Sequence, residues 1–218
     1  MKNPNLFFFL FCISSVIGFN ILSNETNSEC SNPNNGIGPY YPPNPMGLPF
    51  YGAKPIINPE LANSNLTYNP SNGKKALGEI VKLGGRITNM NHFPLSKASV
   101  ELWNTNSYGS YVVENSPRGI DKGFIGYGKV KTNENGEFEF ITIKPIAYTR
   151  YGFLINRPPH FHFLVSHPKI KPLGLEVDII ENPDLINQCE NKIYLEDTGS
   201  TEIKYHGIFN IKIKEIES

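Results

Sequence analysis

Charge is scarce in this chain, and neither sign prevails. Lys and Arg total 20, Asp and Glu total 20, and charged residues make up only 18% of the 218. A formal net charge of zero offers no electrostatic footprint for nucleic acid or for an anionic membrane surface. Cysteine is sparse as well, with 3 in all. Cys12 lies in an apolar N-terminal run, which leaves Cys30 and Cys189. Two cysteines so far apart do not read as a zinc site. Internal repeats are absent, which excludes a solenoid, and no long amphipathic helical pattern supports a bundle.

Long hydrophobic runs are missing too. The longest, Leu6 to Phe19, is broken by Ser14, Ser15 and Gly18 and follows Lys2. It is too short to span a bilayer comfortably, for which about 20 apolar residues are needed. It fits the core of a secretory signal over residues 1–23, cleaved between Gly18 and Asn24; an uncleaved anchor is the alternative. The expectation is an exported protein, periplasmic or extracellular, with no stable membrane span after signal removal. In an oxidising compartment Cys30 and Cys189 have the option of pairing, and the sequence leaves that open.

What the chain has in quantity is Gly (19), Pro (18), Tyr (11) and Phe (14). A chain punctuated by Gly and Pro and rich in aromatics favours an all-β domain with long loops. Residues 24–77 are rich in Pro and Asn and lack periodicity, and Gly38 to Pro45 reads as extended or polyproline-like. They are expected to form an irregular N-terminal arm. From residue 78 onward strand signals recur between turn residues: Glu79–Thr88, Ala98–Trp103, Phe124–Thr132, Glu137–Ile143, His160–Ser166, Leu175–Ile180, Ile193–Glu196 and Ile208–Ile216. Gly84-Gly85 marks a bulge or a tight approach within the first of these. About seven to nine short strands of this kind predict a β-sandwich over residues 78–218.

The local feature that carries chemistry is His160-Phe161-His162. On a strand, residues two apart share a face, so both imidazoles project together while Phe161 and Phe163 point into the core. Imidazole is a common ligand for iron, copper and zinc. Arg157-Pro-Pro leads rigidly into the pair, Thr142-Ile-Lys-Pro-Ile-Ala-Tyr148 ends a strand and delivers a tyrosine into the following loop, and Gly109-Ser-Tyr111 follows the Glu101-Leu-Trp103 strand.

This ordered set resembles the intradiol ring-cleavage dioxygenases, the protocatechuate 3,4-dioxygenase and catechol 1,2-dioxygenase family. The similarity runs through Gly85-Arg-Ile-Thr88, Pro94 to Trp103, Gly109-Ser-Tyr111, Gly126-Tyr-Gly128, Thr132, Gly136-Glu-Phe138, Thr142-Ile-Lys-Pro145, Tyr148 and Arg157 to His162. It covers residues 80–185, to a first approximation. It implies a ferric ion, Fe(III), held by Tyr111, Tyr148, His160, His162 and a hydroxide, although Tyr108 and Tyr151 compete with the two tyrosines by position. Two phenolates and a hydroxide cancel the charge of a trivalent cation, which strips phenols of an ordinary pKa near ~10 of their protons. The family activity would be aromatic catabolism: a catechol-type substrate and both atoms of O2 give a muconate-type diacid, by cleavage between the hydroxylated carbons. Tyr148 would leave the ion and act as base, and Arg157 would sit over the ring and stabilise negative charge.

The chain departs from the family where Glu176 occupies a pocket position often held by glutamine; Tyr151 is the other pocket candidate. The resemblance also implies a homo-oligomer, though no surface in the sequence marks an interface. Two rivals remain. Gly-Arg-Ile-Thr88, Pro94 to Leu102 and Thr132 to Phe138 also resemble transthyretin-like binding modules, which supply the fold without the metal ligands. A relative that binds iron without turnover is the other.

Overall fold

The computed structural model describes residues 31–33, 62–112, 118–150, 155–186 and 190–216. The N-terminal run, the Gly38–Pro45 stretch, Cys30, Cys189 and Tyr151 lie outside the described residues. Within them the regular structure is strand, apart from one 3-10 turn at Pro183–Leu185. No helix there is long and apolar enough to cross a membrane.

The strands are β1 Tyr68–Asn69, β2 Lys74–Lys75, β3 Ile80–Asn89, β4 Ser99–Trp103, β5 Tyr127–Lys131, β6 Glu137–Ile143, β7 Tyr148–Arg150, β8 Ile155–Arg157, β9 His160–Ser166, β10 Leu173–Ile180, β11 Lys192–Asp197, β12 Tyr205–Ile208 and β13 Ile211–Ile213. Nine of them form one mixed sheet in which β12, β11, β10, β9, β4 and β5 follow β3 in spatial order. β6 pairs with β3, and β13 extends the β3 edge used by β12. Most pairings are antiparallel, but β10–β11 and the β3 pairings with β12 and β13 are parallel.

The sheet curls so that its halves face each other. Phe138 of β6 and Phe163 of β9 are far apart in strand order, yet their rings meet at 6.0 Å. Phe163 also stacks on Phe209 at 5.7 Å. Alternation drives this closure. Val100 and Leu102 of β4, Phe161, Phe163 and Val165 of β9, and Leu175 and Val177 of β10 are fully buried on one face. Their apolar area must leave water, and only a second layer can cover it. Phe163→Ala, which deletes the ring at the centre of this contact, is expected to cost about 3–5 kcal/mol in denaturant unfolding.

The structure differs from the sequence expectation in three places. Of Ile208–Ile216, expected as one strand, Ile208 closes β12, Phe209 and Asn210 interrupt the pairing, and Ile211–Ile213 alone form β13. Phe209 N–H donates to the Gly84 carbonyl, and Asn210 Oδ1 accepts from Arg86 N–H. The chain kinks there because Phe209 presses against Gly85 so closely that a Cβ would overlap the Phe209 carbonyl. That is the tight approach the Gly84-Gly85 pair announces. Residues 62–77, expected as an irregular part of the arm, carry the short β1–β2 hairpin at Tyr68–Asn69 and Lys74–Lys75 and lie on the sheet. Leu66 is fully buried, donates N–H to the Ile141 carbonyl and accepts from Ile125 N–H. Tyr148, expected in a loop, opens β7, which pairs with β8 so that Tyr148 lies opposite Arg157.

Candidate metal centre

β9 supplies the two imidazoles. Its pattern puts His160 and His162 on the face opposite Phe161 and Phe163, and both are 2% exposed. His160 Nδ1 lies 2.6 Å from the Pro158 carbonyl. A carbonyl can only accept, so Nδ1 carries the proton and Nε2 presents its lone pair inward. The Arg157-Pro-Pro lead, with its restricted backbone, thereby sets the tautomer of the first histidine. His162 is oriented differently. Its ring lies flat against Trp103, centroids 5.1 Å apart and planes 6° from parallel, while its buried Nδ1 has no hydrogen-bond partner among the described residues. The β4–β9 register, which sets Trp103 opposite His162, creates that stack.

Tyr111 reaches both rings. Its Oη is 3.1 Å from His160 Nε2 and 2.9 Å from His162 Nε2. The loop that delivers it is organised by Asn106, whose Oδ1 accepts N–H bonds from Tyr108 and Ser110. Gly109 has φ of 72°, and a Cβ there would press on Tyr148 Cβ at 3.2 Å. Gly109→Ala is therefore expected to misplace the Tyr111 loop and lower metal retention, as measured by iron content after dialysis. Of the two competing tyrosines in this loop, Tyr108 is 43% exposed and Tyr111 only 7%. Tyr148 completes the group. It packs edge-on against the Tyr111 ring at 6.1 Å and lies 5.7 Å from the His160 ring, centre to centre. The structure thus brings Tyr111, Tyr148, His160 and His162 together.

The electrostatics favour the neutral forms of Tyr111 and His162 when no cation is present. Burial, then the neighbouring Tyr148, pushes the Tyr111 phenol well above its ordinary value. Burial, then His160 and Arg157, pulls His162 well below the imidazole range. Neutral imidazoles have free lone pairs, which is the state a metal needs. Bonds of about 2.1 Å to one ion at right angles would place adjacent donor atoms about 3 Å apart. The spacing between Tyr111 Oη and the two Nε2 atoms fits a shared ion, and hard phenol oxygens with imidazole nitrogens suit iron.

Arg157 forms an ion pair with Glu176 beside this cluster. Burial opposes the Arg157 charge, but Glu176 outweighs it and holds the guanidinium above its ordinary value. Glu176 also stands close enough to be a donor: one ligand atom each of His160, His162 and Glu176 lie within 4.8 Å of one another. Three neighbours escaped the sequence reading: the Trp103 stack, Asp178 opposite His160, and Arg118, whose guanidinium lies 5.3 Å from the Tyr148 ring centre. Only the strand register reveals the first two, although Trp103 and the histidines each alternate visibly on their own strands.

A family profile described as Dioxygenase matches residues 49–190, well over half of the chain. The protocatechuate 3,4-dioxygenase beta chain of Burkholderia cepacia is 35% identical over 119 residues, covering 53% of this chain and 49% of that protein. Catechol 1,2-dioxygenase 1 of Acinetobacter lwoffii is 32% identical over 114 residues, 45% of this chain and 35% of its own length. The chain belongs to the intradiol ring-cleavage dioxygenase family. The stretch it shares with these two relatives is half of their length or less. Among solved structures, 3-chlorocatechol 1,2-dioxygenase of Rhodococcus opacus 1CP superimposes with a TM-score of 0.61 at 18% identity, over 85% of this chain and 74% of that one. The dioxygenase domain of a dioxygenase carbohydrate-binding fusion from Streptomyces sp. SirexAA-E gives 0.56 at 18% identity, over 85% of this chain and 99% of that domain. At such identities these two superpositions speak for the fold.

Proposed function

We propose that this protein is a ferric dioxygenase that cleaves a catechol-type ring between its two hydroxylated carbons, giving a muconate-type diacid, with Tyr111, Tyr148, His160 and His162 as iron ligands. The observation that carries the reading is the meeting of one phenol oxygen with two imidazole Nε2 atoms at 3.1 and 2.9 Å, with a second phenol ring packed edge-on against the first at 6.1 Å. A transthyretin-like binding module has no use for that convergence. Ferric iron bound there would supply a Lewis acid that activates the chelated catechol towards O2.

The protein's own groups do the rest. Tyr148 is the half-buried member of the set and sits on the short β7–β8 hairpin, so it can swing away and take a catechol proton at Oη. Tyr111, buried and touching both histidines, stays. Arg157 lies opposite Tyr148 on the hairpin and holds a fixed positive charge beside the place the ring would occupy. Trp103 closes the back of the site and excludes water from His162.

Oxygen uptake with a panel of catechols, together with identification of the diacid, tests turnover. A protein that binds iron but consumes no oxygen with any catechol would be the iron-binding relative without activity. The proximity of Glu176 to the histidines favours a second reading, a two-histidine, one-carboxylate site for ferrous iron. Colour separates the two, because phenolate-to-ferric charge transfer absorbs visible light and a ferrous carboxylate site has no such band.

Two further outcomes follow from the geometry. The chain's sole tryptophan stacks on His162, so ferric loading is expected to quench its emission strongly. Iron uptake must also expel the phenol protons. Each proton released makes apparent affinity rise about tenfold per pH unit, so iron should be lost progressively as pH falls. His162 contributes little to this loss, because its depressed pKa keeps it neutral where free imidazole is already charged. We also propose that the protein is exported by its N-terminal run; N-terminal sequencing of the protein recovered outside the cytoplasm tests this.

A further inference from the structure

Two carboxylates flank the histidine pair. Glu176 lies opposite His162, and Asp178 lies opposite His160, in the β9–β10 register. Residues directly opposite in an antiparallel pair project to one face, so β10 lines the site with acid. Among the described residues, the two cations on the β10 side are paired with carboxylates. Arg157 is paired with Glu176. Lys192, opposite Asp178 on β11, is 2.8 Å from Glu190. Arg118, over Tyr148, donates to the carbonyls of Gly109 and Thr149, which fix its place across the site from β10 without cancelling its charge. Asp178 Oδ1 is shielded from solvent and has no hydrogen-bond partner among the described residues. An anionic group on the substrate ring, directed towards β10, would therefore meet two carboxylates, and on that side would gain a counter-charge only by breaking the Arg157–Glu176 pair. A cationic or neutral group meets no such opposition.

We infer that Glu176 and Asp178 set the substrate class of this site: it accepts catechols whose ring bears a neutral or cationic substituent and rejects catechol carboxylates. This rests on the catechol-binding reading above and specifies the charge of its substrate. Specificity of this kind is a difference between affinities, achieved as much by repelling the wrong ligand as by attracting the right one.

The test is an equilibrium titration of the iron-loaded protein without oxygen, read through the visible band. The probes are catechol, 3,4-dihydroxybenzoate and 3,4-dihydroxyphenethylamine. The neutral and ammonium probes should bind about tenfold or more tighter than the carboxylate, as expected for unit charges a few ångströms apart near a protein surface. In Glu176→Gln, Arg157 loses its partner, and the carboxylate probe should gain about tenfold relative to the ammonium probe. Equal affinities in the unmodified protein, or a preference for the carboxylate, would overturn the inference and leave the dioxygenase reading standing. Loss of ferric uptake in Glu176→Gln would make Glu176 a ligand and also overturn it. A band that responds to none of the three probes removes both the inference and the catechol reading beneath it.

Discussion

His162→Ala is expected to abolish retention of ferric iron, with apparent affinity falling more than a hundredfold. Partners that merely orient a ligand contribute about 10–100-fold to metal affinity, so loss of a donor itself should exceed that. The variant also leaves a buried Tyr111 phenol with one imidazole partner instead of two. The stack on Trp103 disappears with the ring, so tryptophan emission in the variant should no longer respond to added iron. Iron content by elemental analysis, with the fold checked by circular dichroism, measures the effect. An alanine variant that binds iron as tightly as the parent would remove β9 from the metal site.

Tyr148→Phe should behave differently. Tyr111, His160 and His162 remain, so iron is retained, but the visible band weakens or shifts because one phenolate is lost. Turnover should fall by about 100- to 10,000-fold, the range a positioned acid–base group commonly contributes. The separation between retained iron and lost turnover is what distinguishes Tyr148 from Tyr111. Tyr111 is nearly sealed and holds both histidines, while Tyr148 is half-buried on a three-residue strand. Tyr111→Phe should therefore lose iron as well as activity.

Much of the framework was legible in the sequence because alternation is a local property. β6 and β9 run over Glu137–Ile143 and His160–Ser166, as their patterns predict, each with turn or proline residues at its start. The shared face of His160 and His162 follows from a period of two and needs no tertiary information. The β7–β8 hairpin was missed because its strands are three residues long and carry no alternation to detect. The break between β12 and β13 was missed for another reason. It depends on the approach of Phe209 to Gly85, a contact between segments far apart in the chain. Register has the same origin. Nothing local says that Trp103 will stand opposite His162, or Glu176 opposite the same histidine on the other side. Family resemblance reached the tyrosines, which periodicity alone left tied with Tyr108 and Tyr151. The structure sets Tyr111 at the histidines and leaves Tyr108 exposed; Tyr151 lies outside the described residues.

The acidic residues of β10 set the charge on one side of the candidate site. Its fold is that of the group, and beside the proposed donors the charge of Glu176 is balanced within the protein by Arg157. On the proposed reading, a cation paired in this way would contribute a fixed, oriented field to the ring while attracting anions weakly.

The visible absorption spectrum of the purified protein, taken with its iron content, tests the central claim most directly. Tyr111 and Tyr148 bound as phenolates predict one ferric ion per chain and a burgundy-red charge-transfer band. A colourless protein, or one that takes up no ferric iron, would contradict the site as described.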